Sequence, residues 1–169
     1  MDTIINKVAE SGLITLDLED FYPKDEILGF DLKDYLFMGM ILKEKDFRAA
    51  LQNLNWENFR DKMVAVYCSA DAIIPLWAYM LVSTNLSGIA SKVFSGTPEE
   101  MRKQVFIEKI RGINSGEYKD QRVIIKGCGD LDIGDYAYVE ITNKLTPVVK
   151  SLMYGEACST VPVYKKKSQ

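Results

Sequence analysis

Three cysteines are the residues of this sequence best suited to do chemistry: Cys68 in "YCSAD", Cys128 in "GCGD" and Cys158 in "EACST". A core cysteine normally sits inside an apolar run, where it behaves as a small hydrophobe. Each of these sits instead in a polar or glycine-containing stretch. The thiolate is the form that binds metals and attacks electrophiles, and a helix N-terminus favours it. Three thiolates brought together would hold zinc or an iron–sulfur cluster, with Asp71, Asp130 or Glu156 as neighbours. A single activated thiol, with Cys68 the first candidate, would instead be the nucleophile of an enzyme. A third reading leaves the thiols as small packed side chains and makes the chain an interaction or structural protein without a catalytic site. No CxxC pair is present, so spacing alone selects none of the three.

The other residue types narrow the choices. Histidine is absent, which removes the commonest general base and metal ligand. Asp71 and Asp130 read first as helix caps that satisfy free N–H groups. Trp77, Tyr79, Tyr136 and Tyr138 read as packing residues on helices. The loops "GCGD" and "SGTP" offer backbone N–H groups to an anion, yet neither matches a dinucleotide or P-loop fingerprint. "YKKK" near the end reads as a solvated tail able to touch an acidic partner.

These residues need elements to position them, and the clearest organisation is a repeat. "FRDKMVAVYCSADAIIPLWAYMLVSTNLSGIASKVFSG" (59–96) falls without a gap on "YKDQRVIIKGCGDLDIGDYAYVEITNKLTPVVKSLMYG" (118–155) after a shift of 59 positions. Identical pairs include Asp61/Asp120, Asp71/Asp130, Tyr79/Tyr138 and Gly96/Gly155. Each copy reads strand, polar loop, helix, strand, with "MVAVY" and "RVIIK" as buried parallel strands. Between the copies "TPEEMRKQVFIEKIRGI" is a helix with Thr97 as N-cap, Pro98 at the first helical position and Glu100 completing a capping box.

Residues 1–57 form an N-terminal extension: a helical spacing in "TIINKVAES", a strand in "LITLDLEDF", a turn in "FYPKDE", a buried strand in "YLFMGMIL" and a helix in "EKDFRAALQNL". The expectation is one α/β domain over 1–169, with a mainly parallel sheet covered by helices on both faces. All three cysteines follow strands, so they should meet at one carboxyl edge, where ligands of such sheets bind. The second copy departs from the first after Gly155, and that departure is expected to fold Cys158 over the edge bearing Cys68 and Cys128.

With 169 residues, 47% of them hydrophobic, the chain can bury a substantial core. A net charge of −3 leaves no extended basic footprint for nucleic acid. "MDTIINKVAESG" lacks the features of a signal peptide, and no apolar run reaches the length of a membrane span. Cysteines without a framework spacing fit a reducing cytoplasm. A protein partner or a homo-oligomer is left as the open class of partner.

The stretches "LITLDLEDFYP", "ILKEKDFR", "CSADAIIPLWAYM", "VIIKGC" and "MYGEACSTVPVYK" together resemble the bacterial domain-of-unknown-function family 2480, essentially end to end. The resemblance implies a cytoplasmic bacterial protein and transfers no catalytic role. Families of this kind occurring beside iron–sulfur assembly genes would be compatible with the thiol edge.

Overall fold

A computed structural model describes residues 12–126 and 129–167. The helical spacing at residues 3–11 and Cys128 lie outside the described residues. The chain is α/β, as its strand and helix periodicities require. Its strands are β1 (Leu13–Asp17), β2 (Ile27–Asp31), β3 (Met63–Tyr67), β4 (Lys92–Ser95), β5 (Arg122–Lys126), β6 (Ser151–Glu156) and β7 (Ser159–Lys165). Four α-helices are described: α1 (Glu44–Gln52), α2 (Leu76–Leu86), α3 (Pro98–Arg111) and α4 (Asp135–Leu145).

The strands form two sheets rather than the single expected one. β2, β3 and β4 make a three-stranded parallel sheet, and β1, β5, β6 and β7 a four-stranded one in which only β7 runs antiparallel. Each βαβ pair takes its own third strand from the N-terminal region. "LITLD" joins β5, with Leu13 opposite Arg122, and "ILGFD" joins β3, with Ile27 opposite Met63. β3 and β5 are therefore central strands, which is why Val64, Ala65, Val66 and Val123, Ile124, Ile125 are all buried.

Contacts divide the chain into two compact units, Lys24–Gln104 and Met1–Pro23 with Val105–Gln169. We call them the inserted unit and the split unit. The inserted unit holds a core of Phe30, Leu32, Phe47, Leu51, Val64, Val66, Ala78, Val82 and Leu86. The split unit has a separate core that includes Leu16, Leu18, Phe106, Ile110, Val123, Ile125, Ala137, Ile141 and Leu145.

One plan recurs in both at the 59-residue offset. Asn55 and Asn114 each cap a 3₁₀ turn leading to the central strand. Asp61 and Asp120 both take left-handed backbone, with φ of 59° and 56°. Their amides donate to equivalent carbonyls, Asp61 to Ile89 at 2.9 Å and Asp120 to Val148 at 2.8 Å. The likeness reaches upstream of Phe59, since Phe47 and Leu51 stand where Phe106 and Ile110 stand, and all four are buried.

Local predictions divide sharply. Thr97 and Glu100 form the expected capping box: the Thr97 amide donates to Glu100 Oε2 at 2.8 Å and the Glu100 amide to Thr97 Oγ1 at 3.2 Å. "YLFMGMIL" is not a buried strand. Met38 and Gly39 take left-handed backbone in succession (φ 52° and 72°), the chain doubles back, and the Phe37 amide donates to the Ile41 carbonyl at 2.7 Å. Phe37, Met38, Met40 and Ile41 are left exposed. Asp71 and Asp130 are not caps either. The helices begin later, at Leu76 and Asp135, with Pro75 and Gly134 in the cap positions. Pro75 bars helical backbone at Ile74, so α2 cannot start sooner.

Candidate functional site

The carboxyl ends of the parallel strands are the natural place to look for a site in each unit. In the inserted unit β2 ends on Asp31, whose carboxylate binds three groups. Oδ1 accepts from the amides of Lys33 and Ser69, both at 3.0 Å, and Oδ2 from the Ser69 hydroxyl at 2.5 Å. Burial works to raise the Asp31 carboxyl, but the Ser69 hydroxyl, the Lys33 and Ser69 amides and the Lys33 charge outweigh it and hold it below its ordinary range. This carboxylate therefore ties the loop after β3 to the end of β2. Cys68 opens that loop, is half-buried, and its Sγ donates to the Ala70 carbonyl at 3.5 Å. Burial, with the Cys68 thiol nearby, raises the Tyr79 phenol.

The split unit repeats part of this. β1 ends on Asp17, which caps its own 3₁₀ turn by accepting from the Glu19 amide at 3.0 Å. Its other oxygen lies 3.3 Å from Lys126 Nζ at the end of β5. The Asp17 carboxylate, then Glu156, raise the Lys126 ammonium and keep it charged. Glu19 reaches across to accept from the Leu131 amide at 3.2 Å, just beyond Asp130. Glu156 ends β6, and Ala157 with exposed Cys158 makes the two-residue turn into β7.

The sequence-predicted residues are thus distributed over two units. Cys68 and Asp71 belong to the inserted unit; Asp130, Glu156 and Cys158 belong to the split unit. The strands preceding the cysteines do not share one sheet, since β3 lies in one and β5 and β6 in the other. Among the described residues no group of three His, Cys, Asp or Glu side chains could hold a metal ion. Sequence reasoning missed Asp17 and Asp31, although a signal was present. "DLEDF" and "DLKDY" are one pattern written twice, and each begins on the aspartate that caps the turn after its strand.

A second surface needed no titratable residue. Ile73, in the loop just before α2, and Leu76 and Met80 on the helix itself are exposed at 93, 81 and 69%. Farther along, Ser83 and Thr84 turn their hydroxyls onto the carbonyls of Tyr79 and Met80, both at 2.8 Å, so the helix backbone takes up their polarity. From Ala72 to Ser91 no residue is charged. At the 59-residue offset stand Asp132, in the loop before α4, and Asp135 and Val139 on the helix, also exposed. One architecture therefore carries acids at the entry to this helix in the split unit, Asp132 and Asp135, and large apolar side chains at the same two positions in the inserted unit, Ile73 and Leu76.

No curated protein matches the chain, and no solved structure does. Residues 2–166 match the family described as protein of unknown function (DUF2480), and the chain belongs to that family.

Proposed function

We propose that this chain works as a protein-interaction module whose partner is a second copy of itself, paired through the outward face of α2. The contrast between Ile73 and Leu76 and their counterparts Asp132 and Asp135 carries this reading. The fold accepts aspartate at both positions, so the apolar residues serve something other than folding, and exposed apolar clusters mark interfaces. The chemistry of the face favours self-pairing. α2 bears no charge, so two copies crossing on a twofold axis bring no like charges together. Beside it, α1 packs Phe47 against Trp77 and sets Arg48 5.8 Å from the Trp77 ring. Its rim carries both signs, Glu44 and Asp46 with Lys45 and Arg48, which a twofold copy matches by itself. The exposed turn Phe37–Ile41 adds apolar surface to the same unit.

The test borrows the sister helix's own residues. Sedimentation equilibrium should give a dimer for the wild type and a monomer for I73D/L76D, with unchanged far-UV circular dichroism. A wild type that stays monomeric at about 100 μM, weaker than a specific interface normally binds, sinks the proposal. So does a variant that remains dimeric.

A thiol-dependent role in handling iron–sulfur or sulfur species is the second reading. Supporting it is the exposed Cys158 beside Glu156, in the unit whose β5 ends on Lys126. Metal analysis of anaerobically purified protein, repeated with each cysteine replaced by serine, separates it from the first reading.

A further inference from the structure

The amino ends of the split unit's parallel strands carry a feature that neither reading uses. A groove of about 440 Å³ opens there, within the size range of small-molecule sites. Among the described residues that line it four are cations, Arg122, Lys150, Lys165 and Lys166, and none is an acid, although the chain as a whole has a net charge of −3. The sheet register organises them. Arg122, Ser151 and Lys165 stand opposite one another on β5, β6 and β7, so their side chains share one face. The Lys166 amide donates to the Lys150 carbonyl at 2.9 Å, continuing the pairing by one residue. Lys166 Nζ lies 3.3 Å from Asp120. Met153 and Pro162, opposite one another on β6 and β7, supply an apolar floor.

Edge protection accounts for only part of this. Lysines on an outer strand discourage pairing with another chain, which covers Lys165 at the end of β7 and Lys166 just past it. It does not cover Arg122, whose strand has β1 on one side and β6 on the other, or Lys150, which leads into a strand paired on both sides. The repeat supplies a control. At the 59-residue offset the inserted unit has Met63 in place of Arg122 and Ser91 in place of Lys150, with Lys92 in place of Ser151 as the one cation of these three positions, so the architecture does not require the pair Arg122 and Lys150.

We propose that this groove binds a small phosphate-bearing ligand, its anionic groups on the cations and a flat or apolar portion against Met153 and Pro162. Guanidinium forks and ammonium groups suit phosphate oxygens, and the floor gives a reason for a ligand larger than phosphate alone. Binding should be measured calorimetrically on the full chain at low salt with two probes, inorganic pyrophosphate and ADP. Both should bind, ADP about tenfold more tightly, the factor that ~1.4 kcal/mol of floor contact supplies. R122Q/K150S should weaken both about tenfold or more, and raising salt toward about 0.3 M should weaken them in the wild type. The single variant K165Q gives the same reading should the pair fail to fold. Equal binding of pyrophosphate and ADP leaves the floor without a ligand and overturns the proposal in that part. No heat from either probe at about 10 mM, well above the concentrations at which small-molecule sites fill, overturns it altogether. Unchanged affinity in the variants does so too, as does binding of a DNA oligonucleotide or heparin with no response to the small anions.

Discussion

Gly155 sits at φ +121°, and a Cβ there would lie 2.5 Å from the Ser159 carbonyl oxygen, inside the hairpin that carries Cys158. Its counterpart Gly96 sits at φ +143°, where a Cβ would crowd the Phe94 ring and the Glu100 carboxylate of the capping box. Gly88, also left-handed at +75°, faces open space. Alanine at 155 should therefore cost about 2–4 kcal/mol, combining backbone strain with a backbone clash, and alanine at 88 only about 1 kcal/mol. Urea denaturation of the two variants checks the order. The identity of Gly96 with Gly155 was visible in the sequence, but the reason for it was not: the colliding atoms belong to residues only two to four positions away, and the backbone conformation decides that they face the glycine. The aspartates follow the same rule. Asp71 and Asp130 drew attention by repetition, whereas Asp17 and Asp31 do the capping, at the ends of strands whose partners lie far along the chain.

Elements were legible wherever their determinants are local. "MVAVY", "RVIIK", "LITLD" and the start of α3 need only neighbours in sequence to declare themselves. The capping box is the clearest case, and T97A should cost the full chain about 1 kcal/mol, read as a lowered denaturation midpoint at unchanged slope. T97S should restore most of it, because serine offers the same acceptor to the Glu100 amide. "YLFMGMIL" misled because its apolar, aromatic content suits a buried strand equally well, whereas the structure makes it an exposed turn. The two left-handed residues at its tip decide between these, and only Gly39 announces its conformation in sequence. α2 shows the converse. Its apolar residues run round the whole helix, a pattern expected of a buried one, and the structure leaves one side open.

At the scale of the whole molecule, two cores share no buried residue among the described ones. Val82 and Ile141 occupy equivalent positions, one in each, and both are fully buried. I141A should cost about 2–5 kcal/mol and V82A about 2 kcal/mol. Chemical denaturation of the double variant should give their sum to within about 0.5 kcal/mol, as for sites without shared partners; a larger departure would mean that the cores are coupled. No helix among the described residues is long and apolar enough to cross a membrane. The sequence by itself determined the α/β class, the strands and helices of both copies and the 59-residue correspondence, because hydrophobic period and capping chemistry act over a few residues. Tertiary structure alone decided that "LITLD" pairs with β5 and "ILGFD" with β3, making two sheets where one was expected. Both strands alternate and both end on an aspartate, so nothing local distinguishes their partners. That choice, made by packing across more than thirty residues in one case and more than a hundred in the other, determined which cysteines share a sheet, which helix face stays uncovered and where the cations gather.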